Sequence, residues 1–146
     1  MDKNQEELEQ LKNIVKNKGL KYTKQREIIF QAILETNEHL NAEELHQRIS
    51  DKWPEEKIGI ATVYRALSFL EDVQLISSID LQNNEGKKFE ANNTAHHDHL
   101  ICMKCNKIIE FVNDDIESIQ EKVAQKHNFQ LKNHTMYLFG ICEDCQ

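Results

Sequence analysis

Ile60-Ala61-Thr62-Val63-Tyr64-Arg65-Ala66-Leu67-Ser68-Phe69-Leu70-Glu71-Asp72 reads as one helix with two faces of different character. At roughly 100° per residue, Val63, Ala66, Leu67 and Leu70 gather on an apolar side, and Ala61, Tyr64, Arg65 and Ser68 on the other, with Thr62 and Phe69 at its edges. The first side is core. The second is small, polar and aromatic. Upstream, Leu8, Leu11, Ile14 and Val15 give residues 6–18 a helical spacing that Gly19 ends. Thr23 caps a second helix running to about residue 35, with Ile28, Ile29, Ala32 and Ile33 on its apolar side. Asn41 with Glu44 has the form of a capping box for a third helix, which carries Leu45 and Ile49 and which Trp53-Pro54 closes. Downstream, residues 76–81 and 87–91 read as strands around the turn Gln82-Asn83-Asn84-Glu85-Gly86. Three helices, a fourth, then a hairpin is the order of a winged helix-turn-helix, whose second motif helix enters the major groove while the hairpin flanks it. A small helical domain with no DNA role is the competing reading.

The 146 residues suffice for one ordinary domain or two small ones, and 29% charged with 39% hydrophobic residues suits a globular protein. No apolar run approaches a membrane span, and the N-terminal ten residues are acidic and polar, unlike a signal peptide; a cytoplasmic location without membrane attachment is expected. The formal net charge of −7 argues against nucleic acid only if its distribution is ignored. Between Gln10 and Arg26, Lys12, Lys16, Lys18, Lys21, Lys24 and Arg26 occur with no acidic residue among them. Taken alone, such a run is as consistent with a solvated helix face as with a phosphate-binding one.

After the polar Asn92-Asn93-Thr94, the chain changes character. His96-His97-Asp98-His99-Leu100-Ile101-Cys102-Met103-Lys104-Cys105 sets imidazoles and a carboxylate, which suit Fe, Mn, Co or Zn, beside thiolates, which select Zn or iron–sulfur clusters. On a strand, His97 and His99 point one way and His96 and Asp98 the other, so a short segment serves two sites. All four cysteines form C-x-x-C pairs, Cys102/Cys105 and Cys142/Cys145, the knuckle spacing of a tetrahedral zinc site. Disulfides are the weaker reading, because nothing in the chain looks secreted. Strands are expected at 97–103 and 108–112. A helix should follow from 114 to 127, opened by Asp114 and Glu117 in capping-box register and carrying Ile116, Ile119 and Val123, with a last strand at 129–141. A β-β-α-β unit this small has a limited core and exposed sheet edges, and pairing with a second copy relieves both. The expected fold class is therefore α+β: a winged helix-turn-helix DNA-binding domain over residues 1–91, a hinge at 92–95, and a metal-binding β-β-α-β dimerisation domain over 96–146.

Over nearly its whole length the chain resembles the ferric uptake regulator family of metal-dependent bacterial repressors. The motifs carrying the resemblance are Gly59-Ile60-Ala61-Thr62-Val63-Tyr64-Arg65, Lys88-Phe89-Glu90, the His96–Cys105 block, and Tyr137-Leu138-Phe139-Gly140-Ile141-Cys142 with Cys145. The resemblance implies three metal sites per subunit. The regulatory site would be His39, Glu90, His97 and His99; a second would be His96, Asp98, Glu117 and His134; structural Zn²⁺ would sit on Cys102, Cys105, Cys142 and Cys145. It further implies Fe²⁺ as the regulatory ion, with Mn²⁺ or Zn²⁺ able to substitute in vitro. The partners implied are double-stranded A/T-rich operator DNA and a second copy of the chain, with a tetramer left open. Tyr64 and Arg65 would contact bases, with Thr62 on the same helix, and Lys21 would reach the minor groove. Peroxide- and zinc-sensing branches are the alternatives; peroxide sensors typically carry Asp where Glu90 stands, which favours iron. His46 and His127 are read as non-ligands, His46 on an exposed helix face. No H-E-x-x-H or similar catalytic spacing occurs, so an enzyme is not expected.

Overall fold

The computed structural model describes residues 2–82, 86–93 and 95–146. The chain divides into two compact units, residues 1–94 and 95–146.

In the first unit, α1 (Lys3–Asn17), α2 (Lys24–Leu34) and α3 (Ala42–Lys52) precede a single 3-10 turn (Pro54–Glu56), α4 (Ile60–Asp72) and the strands β1 (Ile76–Leu81) and β2 (Gly86–Ala91). Their limits follow local chemistry. Thr23 Oγ1 accepts from the Arg26 N–H at 3.2 Å. At α3 both halves of the capping box form: Asn41 Oδ1 accepts from Glu44 N–H at 2.7 Å, and Glu44 Oε1 from Asn41 N–H at 3.3 Å. Gly19, at φ +68°, takes the left-handed conformation that ends α1 without a Cβ penalty. α1 begins earlier than its apolar spacing predicts, because the Asp2 carboxylate accepts from Gln5 N–H at 2.9 Å and captures an extra turn. The apolar side of α4 is fully committed: Val63, Ala66, Leu67 and Leu70 are buried in one core with Leu11, Val15, Ile29, Phe30, Leu45 and Ile49. β1 and β2 pair antiparallel from Ile76↔Ala91 to Leu81↔Gly86. Asn83, Asn84 and Glu85 of the expected hairpin turn lie outside the described residues, as does Thr94 of the polar linker. Beyond the hairpin, Asn92 is held to this unit by its N–H on Leu75 O and its amide on Gln74 O, each at 3.0 Å.

In the second unit, β3 (Asp98–Cys102), β4 (Ile108–Phe111), α5 (Asp114–Lys126) and β5 (Tyr137–Gly140) precede a last 3-10 turn (Glu143–Cys145). The sheet order is β4-β3-β5, with β4 antiparallel and β5 parallel to β3. A parallel neighbour requires a crossover, which α5 supplies. Three expectations are corrected here. The last strand is four residues long rather than filling 129–141, because β5 extends only where it meets β3, from His99↔Tyr137 to Cys102↔Gly140. β3 starts at Asp98, so His96 and His97 precede the strand. The cap of α5 is Asn113, whose Oδ1 accepts from Asp115 and Ile116 N–H, rather than the Asp114/Glu117 pair. The core is small: among the described residues, its buried hydrophobic side chains are Ile101, Cys102 and Ala124.

Candidate metal centres and nucleic-acid interface

The turn after β3 brings the four cysteines together. Cys102 N–H donates to Lys107 O at 2.9 Å, and Asn106 adopts φ +63°, which an asparagine tolerates, so the chain doubles back between Cys102 and Lys107 with Cys105 inside the turn. The ends of β3 and β5 then place Cys142 and Cys145 alongside, with one sulfur of each of the four residues within 4.8 Å of the others. Cys105 Sγ and Cys142 Sγ are 3.7 Å apart. A disulfide needs about 2.04 Å. A tetrahedron with Zn–S bonds of about 2.3 Å has edges of about 3.8 Å. The sulfurs are therefore spaced for a shared tetrahedral metal. Backbone N–H groups of Cys105, Cys142 and Lys104 point at Cys102 Sγ, at 3.5, 3.4 and 3.4 Å. They pull its thiol down to about 6, so that a thiolate is ready near neutrality. Cys145 is pushed up to about 12 by the thiols of Cys142 and Cys105 beside it: several thiolates cannot share so small a volume without a cation.

A second cluster lies between β3, α5 and the segment before β5. Asp98 is completely buried. His96 Nε2 stands 3.4 Å from Asp98 Oδ1 and 3.3 Å from Glu117 Oε1; His134 Nε2 stands 3.5 and 3.3 Å from the same two atoms. Bonds of about 2.0–2.1 Å from zinc to nitrogen or oxygen give tetrahedral edges of about 3.3–3.4 Å, which these four separations match. Among the described residues no hydrogen bond reaches the Asp98 oxygens, Glu117 Oε1 or His134 Nε2, although all are buried. Buried polar atoms left in this state are costly, and a cation at their common centre would compensate all of them at once.

The third expected ligand set is distributed over both units. In the first, Leu40 forms an isolated antiparallel bridge with Phe89 of β2, which sets the preceding His39 against Glu90. His39 Nε2 and Glu90 Oε2 are 2.7 Å apart and mostly buried. In the second, the rings of His97 and His99 are 4.7 Å apart. His97 Nδ1 meets the Ala95 carbonyl at 3.0 Å; a carbonyl only accepts, so Nδ1 carries a proton, and in the neutral ring Nε2 is the atom left to bind a metal. That Nε2 lies 3.5 Å from Glu110 Oε1. Glu110 was not singled out in the sequence. Its position follows from the β3–β4 register, which sets it opposite His99, and no local pattern encodes a register. Of the two remaining histidines, His127 caps the C-terminus of α5. His46 is not on an exposed face as expected: it is half-buried, with Nε2 at 3.0 Å from Ile58 O.

On the outer side of α4, Tyr64 is 48% exposed, and Arg65 Nη2 donates to Thr62 Oγ1 at 3.2 Å. The Tyr64 hydroxyl donates to Glu43 Oε1 at 2.6 Å, so α3 also bears on this surface. The basic stretch is partly engaged. Lys12 pairs with Glu9 at 3.2 Å and Lys24 with Glu56 at 2.7 Å, while the Arg26 guanidinium stacks 4.1 Å from the Phe69 ring centre.

The model of the ferric uptake regulator family matches residues 17–139. The chain belongs to that family. It is 46% identical over 138 residues to the ferric uptake regulation protein of Campylobacter upsaliensis, covering 94% of this chain and 88% of that one. To the ferric uptake regulation protein of Escherichia coli K12 it is 43% identical over 137 residues, covering 90% and 89%. Its structure superposes on the ferric uptake regulator of Helicobacter pylori with a TM-score of 0.89 at 36% identity, covering 99% and 94%; that protein is described as having three functional metal-binding sites. Family members are metal-responsive regulators of transcription, and the helix-turn-helix, wing and ligand clusters found here are the parts such a regulator needs.

Proposed function

We propose that this chain is a cytoplasmic, Fe²⁺-responsive repressor that binds A/T-rich operator DNA as a homodimer. The observation that carries the reading is the distribution of its third ligand set: His39 pairs with Glu90 beside the wing, whereas in the other unit His97, just ahead of β3, gathers with His99 of β3 and Glu110 of β4. In this assignment those five residues are the regulatory ligands, the four cysteines hold structural Zn²⁺, and His96, Asp98, Glu117 and His134 form a second site. A divalent ion supplies a Lewis-acid centre that nitrogen and oxygen donors of both units can share.

Glu90 lies on β2 and His39 is joined to that strand through the Leu40–Phe89 bridge, so fixing their side chains would fix the hairpin, against which α4 packs. Ligands drawn from two units would set the angle between those units. In a dimer that angle sets the spacing of two α4 helices, which must match successive half-sites. The regulatory ion is then an allosteric ligand, and operator DNA must tighten its binding in return. Histidine and carboxylate ligands must be deprotonated, so acid weakens repression.

DNA contacts divide in the usual way. The rest of the basic stretch, Lys21 included, neutralises phosphate, and Tyr64, Arg65 and Thr62 face base edges. The chain has three arginines, of which Arg26 is stacked on Phe69 and Arg48 paired with Glu38, so guanine readout is sparse and A/T-rich sites are favoured. Dimerisation is supported by the second unit's exposed apolar side chains, among them Val112, Ile119, Val123 and Phe129, and by the outer edges of β4 and β5, which pair with no further strand among the described residues. Glu90 and the names of the relatives favour iron.

The test is operator binding under anaerobic conditions by protein retaining only its structural zinc, titrated in parallel with Fe²⁺, Mn²⁺ and Zn²⁺. Binding switched on by micromolar Fe²⁺, with Mn²⁺ substituting, is expected. Response to buffered, far lower Zn²⁺ alone would place the chain among zinc sensors, and no response to any ion would refute the two-unit ligand set.

A further inference from the structure

Tyr64 does not stand alone on the outer side of α4. Its hydroxyl donates to Glu43 at 2.6 Å, across 21 positions of sequence, and both residues line an open recess of 490 Å³ that also bears Ser68 of α4 and Lys87 of the wing. Glu43 occupies the second position of α3, where the helix N-terminus favours a carboxylate and its own backbone N–H contributes a further hydrogen bond. The acceptor is thus held at both ends, by the backbone of α3 and by the phenol.

A phenol has a single proton. While Glu43 holds it, the Tyr64 oxygen can meet DNA only as an acceptor. In the major groove the available donors are adenine N6 and cytosine N4; guanine N7 and O6 and thymine O4 are acceptors and are refused. The ring meanwhile offers an apolar edge to a thymine methyl, which an A·T pair supplies and a G·C pair lacks. We propose that Glu43 is a specificity-setting residue that acts through Tyr64: by taking up the hydroxyl proton it makes the tyrosine select an A·T pair and reject guanine at the position it touches. The inference rests on the reading of Tyr64 as a base-contacting residue. Glu43 itself is a positioning residue. Its charge repels phosphate equally on every sequence, so its effect on specificity is separable from its effect on affinity. The same bond holds the Glu43 carboxyl below its ordinary range and the Tyr64 phenol above its own, so it persists throughout the neutral region in which binding is measured.

The experiment uses the full-length, Mn²⁺-loaded protein and a randomised duplex pool, followed by competition between duplexes differing at one pair. Tyr64→Ala locates the pair, as the position where base preference disappears. At that pair Glu43→Ala, which frees the hydroxyl to donate to guanine, lowers the preference for adenine over guanine by about fivefold, the worth of one net hydrogen bond. Glu43→Gln, whose carbonyl still accepts, retains that preference while strengthening binding to all sequences. In a Tyr64→Phe background Glu43→Ala leaves the preference unchanged, because the group it acts through is gone. A preference unaltered by Glu43→Ala, or altered as much in the Tyr64→Phe background as in the parent, overturns the role of Glu43. If Tyr64→Ala weakens every sequence equally, the base-contact reading fails first and this inference with it.

Discussion

Replacing Cys142 by serine removes one corner of the cysteine tetrad, and the structure sets how much that should cost. Cys105 and Cys142 are 37 positions apart in sequence and 3.7 Å apart in space. A cross-link closing a loop of 37 residues restricts the unfolded chain enough to contribute about 4 kcal/mol at room temperature. Residues 95–146 would ordinarily command about 3–8 kcal/mol of total stability, at the usual 0.05–0.15 kcal/mol per residue. With Ile101, Cys102 and Ala124 as the buried hydrophobic side chains among its described residues, the second unit belongs at the low end of that range. Loss of the staple should therefore unfold it. The first unit keeps its own core, and the single tryptophan, Trp53, packs against that core and reports on it alone. The expected result for Cys142→Ser is a protein without structural zinc, monomeric by sedimentation, with no slow-exchanging amides in α5 and a Trp53 fluorescence melting midpoint like that of the parent. Amides of α5 as protected as in the parent, with zinc still bound, would refute the reasoning. A Trp53 midpoint falling in step with α5 would show that the two units unfold as one.

Other outcomes follow from the same geometry. His97→Ala should abolish metal-induced operator binding while leaving a dimer with its structural zinc, checked by gel shift and metal analysis; loss of the dimer instead would make His97 a structural residue. Glu110→Ala should raise the Mn²⁺ concentration needed for half-maximal operator binding by about 10- to 100-fold, and an unchanged titration would remove Glu110 from the regulatory set. Tyr64→Phe should bring the Glu43 carboxyl back up toward its ordinary 4.5, since the Tyr64 hydroxyl is the main cause of its depression. The carboxylate's share of stability is present above the ordinary carboxylate range and fades as pH falls through the depressed folded value. For the phenol, raised from 10.0 by the same bond, it is present below 10.0 and lost as pH rises through the raised value. Carbon-13 NMR titration of Glu43 reads this directly, and an unmoved carboxyl in Tyr64→Phe would contradict the bond.

Much of the first unit was legible before any coordinates, because helices are written in local terms. The side of α4 that buries Val63, Ala66, Leu67 and Leu70 is set by residues three and four apart, and Thr23 and Asn41 cap helices that begin within a residue of them. The cysteine pairs and the alternation of His97/His99 against His96/Asp98 are equally local, and the two groups do part in space, although β3 begins only at Asp98. What depends on a partner far along the chain was not legible. β5 stops where β3 stops; Glu110 becomes a neighbour of His97 only through strand register; His46 finds the Ile58 carbonyl; and Tyr64 finds Glu43 across α3 and α4. Composition and spacing alone determined which ligand types the chain carries, which helices form and which of their faces are buried, since these follow from backbone hydrogen bonding within four residues and from side-chain polarity. Tertiary structure decided which of those ligands share a centre and which carboxylate holds the tyrosine proton, because a distance of about 3 Å between residues dozens of positions apart is set by packing.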